Sequence, residues 1–296
     1  MIIGEGSAIV TIVISTGLLT YFVYVLVYII KYIKAVGYAT DNYIACDSNH
    51  CVDESIETYD HIPNQDNINY SKNISKFCAQ LIVRLEYPEK YNSRIYPKLL
   101  KQIISVRDKH KNPIFCVIYK EINNNNIWII FRGTYTFSEF ISDIDYSQTN
   151  YMGTKMKVHR GFYKIFQNVK KQIKDELDKL EPDKIFITGH SLGGAIATLL
   201  APEMINKNSE TYVYCFGTPK VGDAAFADFI NQNCNVFNIV NQSDVVPTIP
   251  PSVCANFKNK EKLYFYSNCG DQIVFDDNWS SLKNNHRMPV YIKNIS

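Results

Sequence analysis

One unbroken apolar run near the N-terminus stands apart from the rest of the chain, which alternates short apolar bursts with polar punctuation. Residues 8–30 carry no charge, are rich in Val, Ile and Leu, and end at Lys31 and Lys34. At about 1.5 Å per residue such a run reaches roughly 34 Å as a helix, enough for a hydrocarbon core of about 30 Å. It is apolar all round and lacks the polar face of a helix packed on a globular core, so it predicts one N-terminal transmembrane helix. A cleaved signal peptide is the alternative. Its apolar stretch usually runs about 7 to 15 residues behind a basic start, and no basic residue precedes this run. Residues 35–68 mix Asp, Asn, Cys and Pro without clear periodicity and read as a linker or an irregular first layer.

Periodic order starts near Ser71. Ile74, Phe77, Cys78, Leu81, Ile82 and Leu85 keep the i, i+3, i+4, i+7 rhythm of an amphipathic helix. Pro113 to Tyr119 and Ile127 to Phe131 are β-rich runs joined by Glu121 to Asn126, whose four consecutive asparagines suit an exposed hairpin loop. A helix is predicted over Gly161 to Leu180, closed by Glu181-Pro182-Asp183. Short buried strands follow at Lys184 to Thr188, Tyr212 to Phe216 and Val236 to Val240, with helical stretches to about Ile205 and over Asp223 to Asn231 between them. Strand and helix alternate, which implies an α/β domain whose mainly parallel central sheet is flanked by helices. Reactive groups in such sheets sit at the carboxyl ends of the strands. The expected division is 1–34 as anchor, 35–68 as linker and 69–296 as the folded domain.

Composition narrows the partners. The 296 residues hold 31 basic and 29 acidic side chains, a net +2, spread without long runs, so no basic stripe points to nucleic acid. No cysteine spacing suggests a metal, and no cofactor is implied. The eight cysteines, at 46, 51, 78, 116, 215, 234, 254 and 269, are an even number. Cys46 with Cys51, and Cys254 with Cys269, flank loop-like sequence that disulfides could close. Sequons at Asn69, Asn73, Asn241, Asn278 and Asn294 decide nothing in so Asn-rich a chain. Lys31 and Lys34 after the span, against Glu5 before it, favour a cytosolic domain by the positive-inside rule; secretion after signal cleavage is the alternative.

The chemistry concentrates where the strand Lys184 to Thr188 runs into Gly189-His190-Ser191-Leu192-Gly193-Gly194-Ala195. A serine at a tight strand-to-helix turn is held in strained backbone geometry, and glycines two before and two after it avoid Cβ clashes. Its hydroxyl needs a base, and in G-x-S-x-G hydrolases the partners follow in the order Ser, acid, His. Of six histidines only His286 lies after Ser191. Among the intervening acids Asp244 sits just past strand Val236 to Val240, at the catalytic edge. Asp223 is the runner-up, although it looks more like a helix cap. Oxyanion donors are expected at the Leu192 backbone N–H and at Thr134, just after strand Ile127 to Phe131.

These blocks resemble the fungal-type (class 3) lipase family, triacylglycerol lipases of the α/β-hydrolase fold. The matching runs, in order, are Phe131-Arg132-Gly133-Thr134, Val158-His159-Arg160-Gly161-Phe162, Gly189 to Ala195, Phe216 to Gly222, Asp244-Val245-Val246-Pro247 and His286. They span about residues 113 to 291 and leave out the apolar run and the segment to residue 68. The resemblance implies a Ser191, Asp244, His286 triad with Thr134 and Leu192 as oxyanion hole. It also implies a lid at about Tyr135 to Tyr146, with Phe137, Phe140 and Ile141 as its apolar face. His159 belongs to one of the matching blocks but precedes Ser191, so it reads as structural. The function expected is a membrane-anchored serine hydrolase that cleaves carboxylic esters of lipids, acyl glycerols first, through an acyl-enzyme on Ser191. The alternatives are a phospholipase A1-type esterase and a non-catalytic, membrane-attached lipid-binding protein that has kept the fold.

Overall fold

The computed structural model describes residues 59, 61–65, 69–87, 96, 98–107, 114–133, 145–205, 207–255 and 262–295. The chain divides into two compact units, Met1–Cys51 and Val52–Ser296, and every described residue belongs to the second. The apolar run 8–30, Thr134 and the expected lid residues Phe137, Phe140 and Ile141 lie outside the described residues. Among those described, no helix is long and apolar enough to cross a membrane.

Helix α1, Lys72–Glu86, begins where the Ser71 hydroxyl accepts the Ile74 amide at 3.3 Å. Such a cap satisfies one of the four donors a helix N-terminus leaves unbonded. An antiparallel meander follows, made of β1, Leu100–Arg107, β2, Ile114–Glu121, and β3, Ile127–Phe131. The asparagine-rich loop between β2 and β3 is the turn its composition predicts. A small antiparallel pair, β4 (Gln148–Asn150) and β5 (Lys157–His159), leads into α2, Arg160–Leu180. His159 caps α2, its Nδ1 accepting the Phe162 amide at 3.3 Å. Burial pushes its imidazole down to a pKa of about 4, which keeps that nitrogen an acceptor.

The remaining elements alternate as the pattern predicts. They are β6 (Lys184–His190), α3 (Leu192–Leu200), β7 (Glu210–Phe216), α4 (Ala224–Asn233) and β8 (Asn235–Asn241). The helix after Ser191 tightens into a 3-10 turn over Ala201–Met204, where Pro202 has no N–H to continue the α ladder. A short antiparallel pair, β9 (Val253–Ala255) and β10 (Leu263–Phe265), precedes β11 (Asp271–Phe275) and two closing helices, α5 (Leu282–Asn285) and α6 (Met288–Ile295).

The central sheet has seven strands in the order β1-β2-β3-β6-β7-β8-β11, parallel from β3 to β11. Residues of one strand alternate between its faces, and the two cores follow that alternation. Trp128, Ile130, Phe186 and Tyr214 face one layer with α1 and α6 residues such as Phe77 and Tyr291. Ile129, Phe131, Ile187 and Val213 face the other, with α2, α3 and α4 residues such as Phe166, Ile196 and Phe226. Trp128 stacks on Phe186 at 4.3 Å between ring centroids. Tyr59 and Ile62, inside the stretch expected as linker, also pack on the first layer.

The cysteine expectation needs a correction. Cys254 and Cys269 are free thiols, as are Cys78, Cys116, Cys215 and Cys234. Cys254 lies in the small β9–β10 core with Tyr264 and Tyr266, whereas Cys269 packs into the main core with Cys215 and Val236. Their separation along the chain is loop-like, but the two side chains enter different cores. Cys46 and Cys51 lie outside the described residues.

Candidate active site

Ser191 occupies the turn between β6 and α3 with φ 55° and ψ −123°. A non-glycine residue at positive φ costs of order 1–3 kcal/mol and persists only where its surroundings impose it. The surroundings here are the flanking strands and glycines. The Ser191 amide donates to Phe216 O on β7 at 2.9 Å. A Cβ on Gly189 would come within 2.3 Å of the Gly193 backbone, and one on Gly193 within 2.6 Å of Phe131 O. Any side chain at either position would force the elbow open. Ser191 is only 4% exposed.

Leu192 is the first residue of α3, so its backbone N–H belongs to the helix start, where N–H groups lack intrahelical partners and the dipole favours negative charge. Thr134, expected as the second oxyanion donor, is outside the described residues. Gly133, one residue earlier, is described and lies beside His190.

Asp244 follows β8 by three residues, and His286 caps the end of α5. The two meet at 2.6 Å between His286 Nδ1 and Asp244 Oδ2, both nearly sealed from solvent at 5% and 1% exposure. Two further donors hold the carboxylate. The Val246 amide reaches Oδ1 at 2.9 Å, and the Tyr291 hydroxyl reaches Oδ2 at 2.5 Å. Burial lowers the pKa of His286, and although Asp244 pulls the other way, the net shift is downward. A base of that kind stays neutral, and able to take a proton, below the ordinary histidine range. The runner-up acid, Asp223, is engaged elsewhere, its Oδ1 accepting the Phe226 amide at 2.9 Å as the cap of α4.

Asn241, fully buried at the end of β8, ties the acid loop to the histidine loop. Its Nδ2 donates to Asp277 O at 2.9 Å and Asn285 O at 3.1 Å, and its Oδ1 accepts the Ser243 and Asp277 amides. That geometry also removes Asn241 from the glycan-acceptor candidates, since its amide nitrogen is inside the folded domain.

Sequence reasoning passed over Tyr291, Glu86 and His190. Tyr291 follows His286 by five residues in what the pattern leaves as an unassigned tail. His190 sits inside the serine pentapeptide, where its ring is 4.6 Å from that of His286. Glu86 ends α1 and contacts His190 at 3.0 Å. Among the described residues no group of three or more His, Cys, Asp or Glu could hold a metal ion.

Comparison with known proteins gives a consistent picture. The family described as "Lipase (class 3)" matches residues 128–254. A lipase of Rhizomucor miehei is 29% identical over 164 residues, covering 51% of this chain and 45% of that one. A secreted mono- and diacylglycerol lipase A of Penicillium cyclopium is 30% identical over 133 residues, 43% of this chain and 44% of its own. A phospholipase A1-II 4 of Oryza sativa subsp. japonica is 26% identical over 163 residues, 44% and 41% of the two chains. The alignments thus span less than half the length of these curated relatives. Among solved structures, the native Rhizomucor miehei lipase propeptide complex superposes with a TM-score of 0.54 at 25% identity, over 62% of this chain and 66% of that one. The lipase from Rhizopus microsporus var. chinensis gives 0.55 at 22% identity, over 76% and 87%. Matched in sequence to class 3 lipases across the serine elbow and in fold to solved lipases over most of the domain, the chain is similar to the fungal-type class 3 lipases and has their α/β-hydrolase fold.

Proposed function

We propose that the protein is a serine hydrolase of lipid carboxylic esters, with Ser191 as nucleophile, His286 as base and Asp244 as the acid that orients it. The observation that carries this reading is the buried 2.6 Å His286–Asp244 hydrogen bond next to an elbow that holds Ser191 at φ 55°. In the acylation step His286 Nε2 takes the Ser191 proton as Oγ attacks the ester carbonyl. It then returns that proton to the departing alcohol, leaving an acyl-serine. Water repeats the sequence and releases the fatty acid. The Leu192 N–H and Thr134 receive the oxyanion charge at each tetrahedral stage.

Acyl glycerols are the proposed substrates, in keeping with the names of the relatives. Phospholipid sn-1 esters are the second reading, favoured by the likeness to a phospholipase A1. We further propose that Phe137, Phe140 and Ile141 form an apolar lid and that residues 8–30 attach the protein to a membrane, secretion after cleavage being the alternative that a secreted relative's name supports.

A fluorophosphonate probe tests the chemistry directly. Wild-type protein is expected to label at Ser191, and Ser191→Ala and His286→Ala each to lose activity by several orders of magnitude, about 10⁶-fold for such units. A folded wild type that neither labels nor hydrolyses a panel of triacylglycerol, diacylglycerol and phospholipid would return the reading to a non-catalytic lipid binder. The lid adds a preference for emulsified over dispersed ester, which Phe140→Asp is expected to blunt while sparing a soluble short-chain ester.

A further inference from the structure

A buried carboxylate from outside the family-matched segment ties three parts of the site together. Glu86, the last residue of α1, accepts the Gly133 amide on Oε1 at 3.3 Å, and the same oxygen lies 3.0 Å from His190 Nδ1. The other ring nitrogen, His190 Nε2, lies 2.7 Å from the backbone oxygen of His286. The strand end that leads to Thr134, the elbow that carries Ser191 and the loop that carries the base are thereby linked through two side chains. A Cβ at position 133 would sit 2.9 Å from Glu86 Oε1 and 3.2 Å from His190 Nδ1, so glycine is what lets the strand end approach the pair.

The proton count follows from the acceptors. A backbone carbonyl can only accept, so Nε2 must carry a hydrogen. With a single ring proton there, Nδ1 would turn a lone pair toward a carboxylate oxygen. A second ring proton removes that conflict and turns it into a charge-assisted hydrogen bond. Both side chains are nearly buried, at 9% and 13% exposure. A removed partner would therefore leave an uncompensated charge. Around His190 the titratable groups are Glu86 from α1, the His286 ring, Asp244 behind it, and Tyr291 on α6, whose ring centroid is 6.2 Å away. Burial opposes the charge on His190, but the Glu86 carboxylate outweighs it and raises the imidazole above its ordinary value. For Glu86 burial likewise opposes ionisation, and the His190 charge outweighs it and holds the carboxyl below the usual range.

We propose that Glu86 and protonated His190 form a positioning clamp that holds the His286 loop and the Gly133 strand end against the serine elbow, and that the clamp releases when His190 loses its proton. Neither residue touches the reacting atoms. The kinetic consequence rests on the hydrolase reading, whereas the protonation state does not. The direction with pH is fixed by the two shifts. His190, raised, contributes fully below the ordinary histidine pKa, and its contribution is lost as pH rises through the raised value. Glu86, lowered, contributes above the ordinary carboxylate pKa and is lost as pH falls through the lowered value. The clamp is therefore closed between those limits and opens on the alkaline side, while deprotonated His286 is still a competent base.

The test uses full-length protein in detergent with 15N-labelled histidine, the His190 signals being assigned by their loss in His190→Asn. Near pH 7 both His190 ring nitrogens are expected to show the protonated pattern in wild type, and one of them to lose it in Glu86→Gln. On a soluble short-chain ester, Glu86→Gln is expected to lower kcat about tenfold near pH 8 with KM nearly unchanged, the size a small misplacement of a catalytic group produces. It should also move the alkaline limb to lower pH, and Glu86→Asp should restore part of that limb. A neutral His190 ring in wild type near pH 7, or an alkaline limb that Glu86→Gln leaves in place, overturns the clamp. If Glu86→Gln does not fold, the wild-type ring signal alone decides. Absence of fluorophosphonate labelling in wild type would strike the hydrolase reading instead and leave the ring protonation to be read.

Discussion

Asp244 illustrates how much one carboxylate's neighbours determine. Its two oxygens accept from the Val246 amide, the Tyr291 hydroxyl and His286, so its orientation is set before any substrate arrives. Asp244→Asn keeps the shape but removes the charge that holds His286 in the correct tautomer, and turnover should fall by roughly 10³ to 10⁴-fold. Asp223→Asn should leave turnover near wild type, because asparagine caps a helix about as well as aspartate. The reverse pattern in folded proteins would move the acid to position 223. Tyr291→Phe separates position from charge. The hydroxyl donates to the oxygen that also faces His286, and without it the carboxylate's field on the imidazole strengthens. His286 should then titrate higher, so the acid limb of kcat should shift to higher pH, at a stability cost of about 1.5 to 3 kcal/mol for a hydrogen bond to a charged group. An acid limb that stays put would mean that Tyr291 packs against Asp244 without tuning it.

Among the elements, the β2–β3 hairpin shows another buried carboxylate with a different task. Glu121 accepts Trp128 Nε1 and Gln65 Nε2, each at 2.7 Å, and Asn124 Nδ2 at 3.0 Å, at the end of the sheet away from Ser191. Glu121→Leu would strand the indole N–H of fully buried Trp128, so the denaturation midpoint should drop by the equivalent of about 2 to 4 kcal/mol while activity per folded molecule holds. A fall in specific activity at unchanged stability would reverse that assignment. Elements of this kind were legible to different degrees. The stripe of α1 and the buried runs of β3, β6, β7 and β8 announce themselves because every inward position must be apolar whatever the topology. β1 and β11 did not, since an edge strand buries only part of its surface and becomes a strand through its partner; Asp271, Gln272 and Val274 on β11 are all exposed. The serine elbow and His286 were readable from local spacing and chain order. Glu86 with His190 was not, because nothing in either neighbourhood signals a contact across 104 positions.

For the molecule as a whole, the question is what attaches it to its substrate phase. Among the described residues of the second compact unit, core layers cover both faces of the sheet and no helix could span a bilayer. In the proposed function attachment is assigned to residues 8–30, whose uncharged length suits a span. A spanning helix resists extraction that strips peripheral proteins, because withdrawing it would expose all of its apolar surface to water. Full-length protein should accordingly stay in the membrane pellet through an alkaline carbonate wash. Removal of residues 1–34 takes away no member of the proposed triad, so the shortened protein should appear in the supernatant and still label at Ser191. Release of the full-length chain by carbonate would favour a cleaved leader. Pelleting of the shortened chain would instead place the attachment on the folded domain.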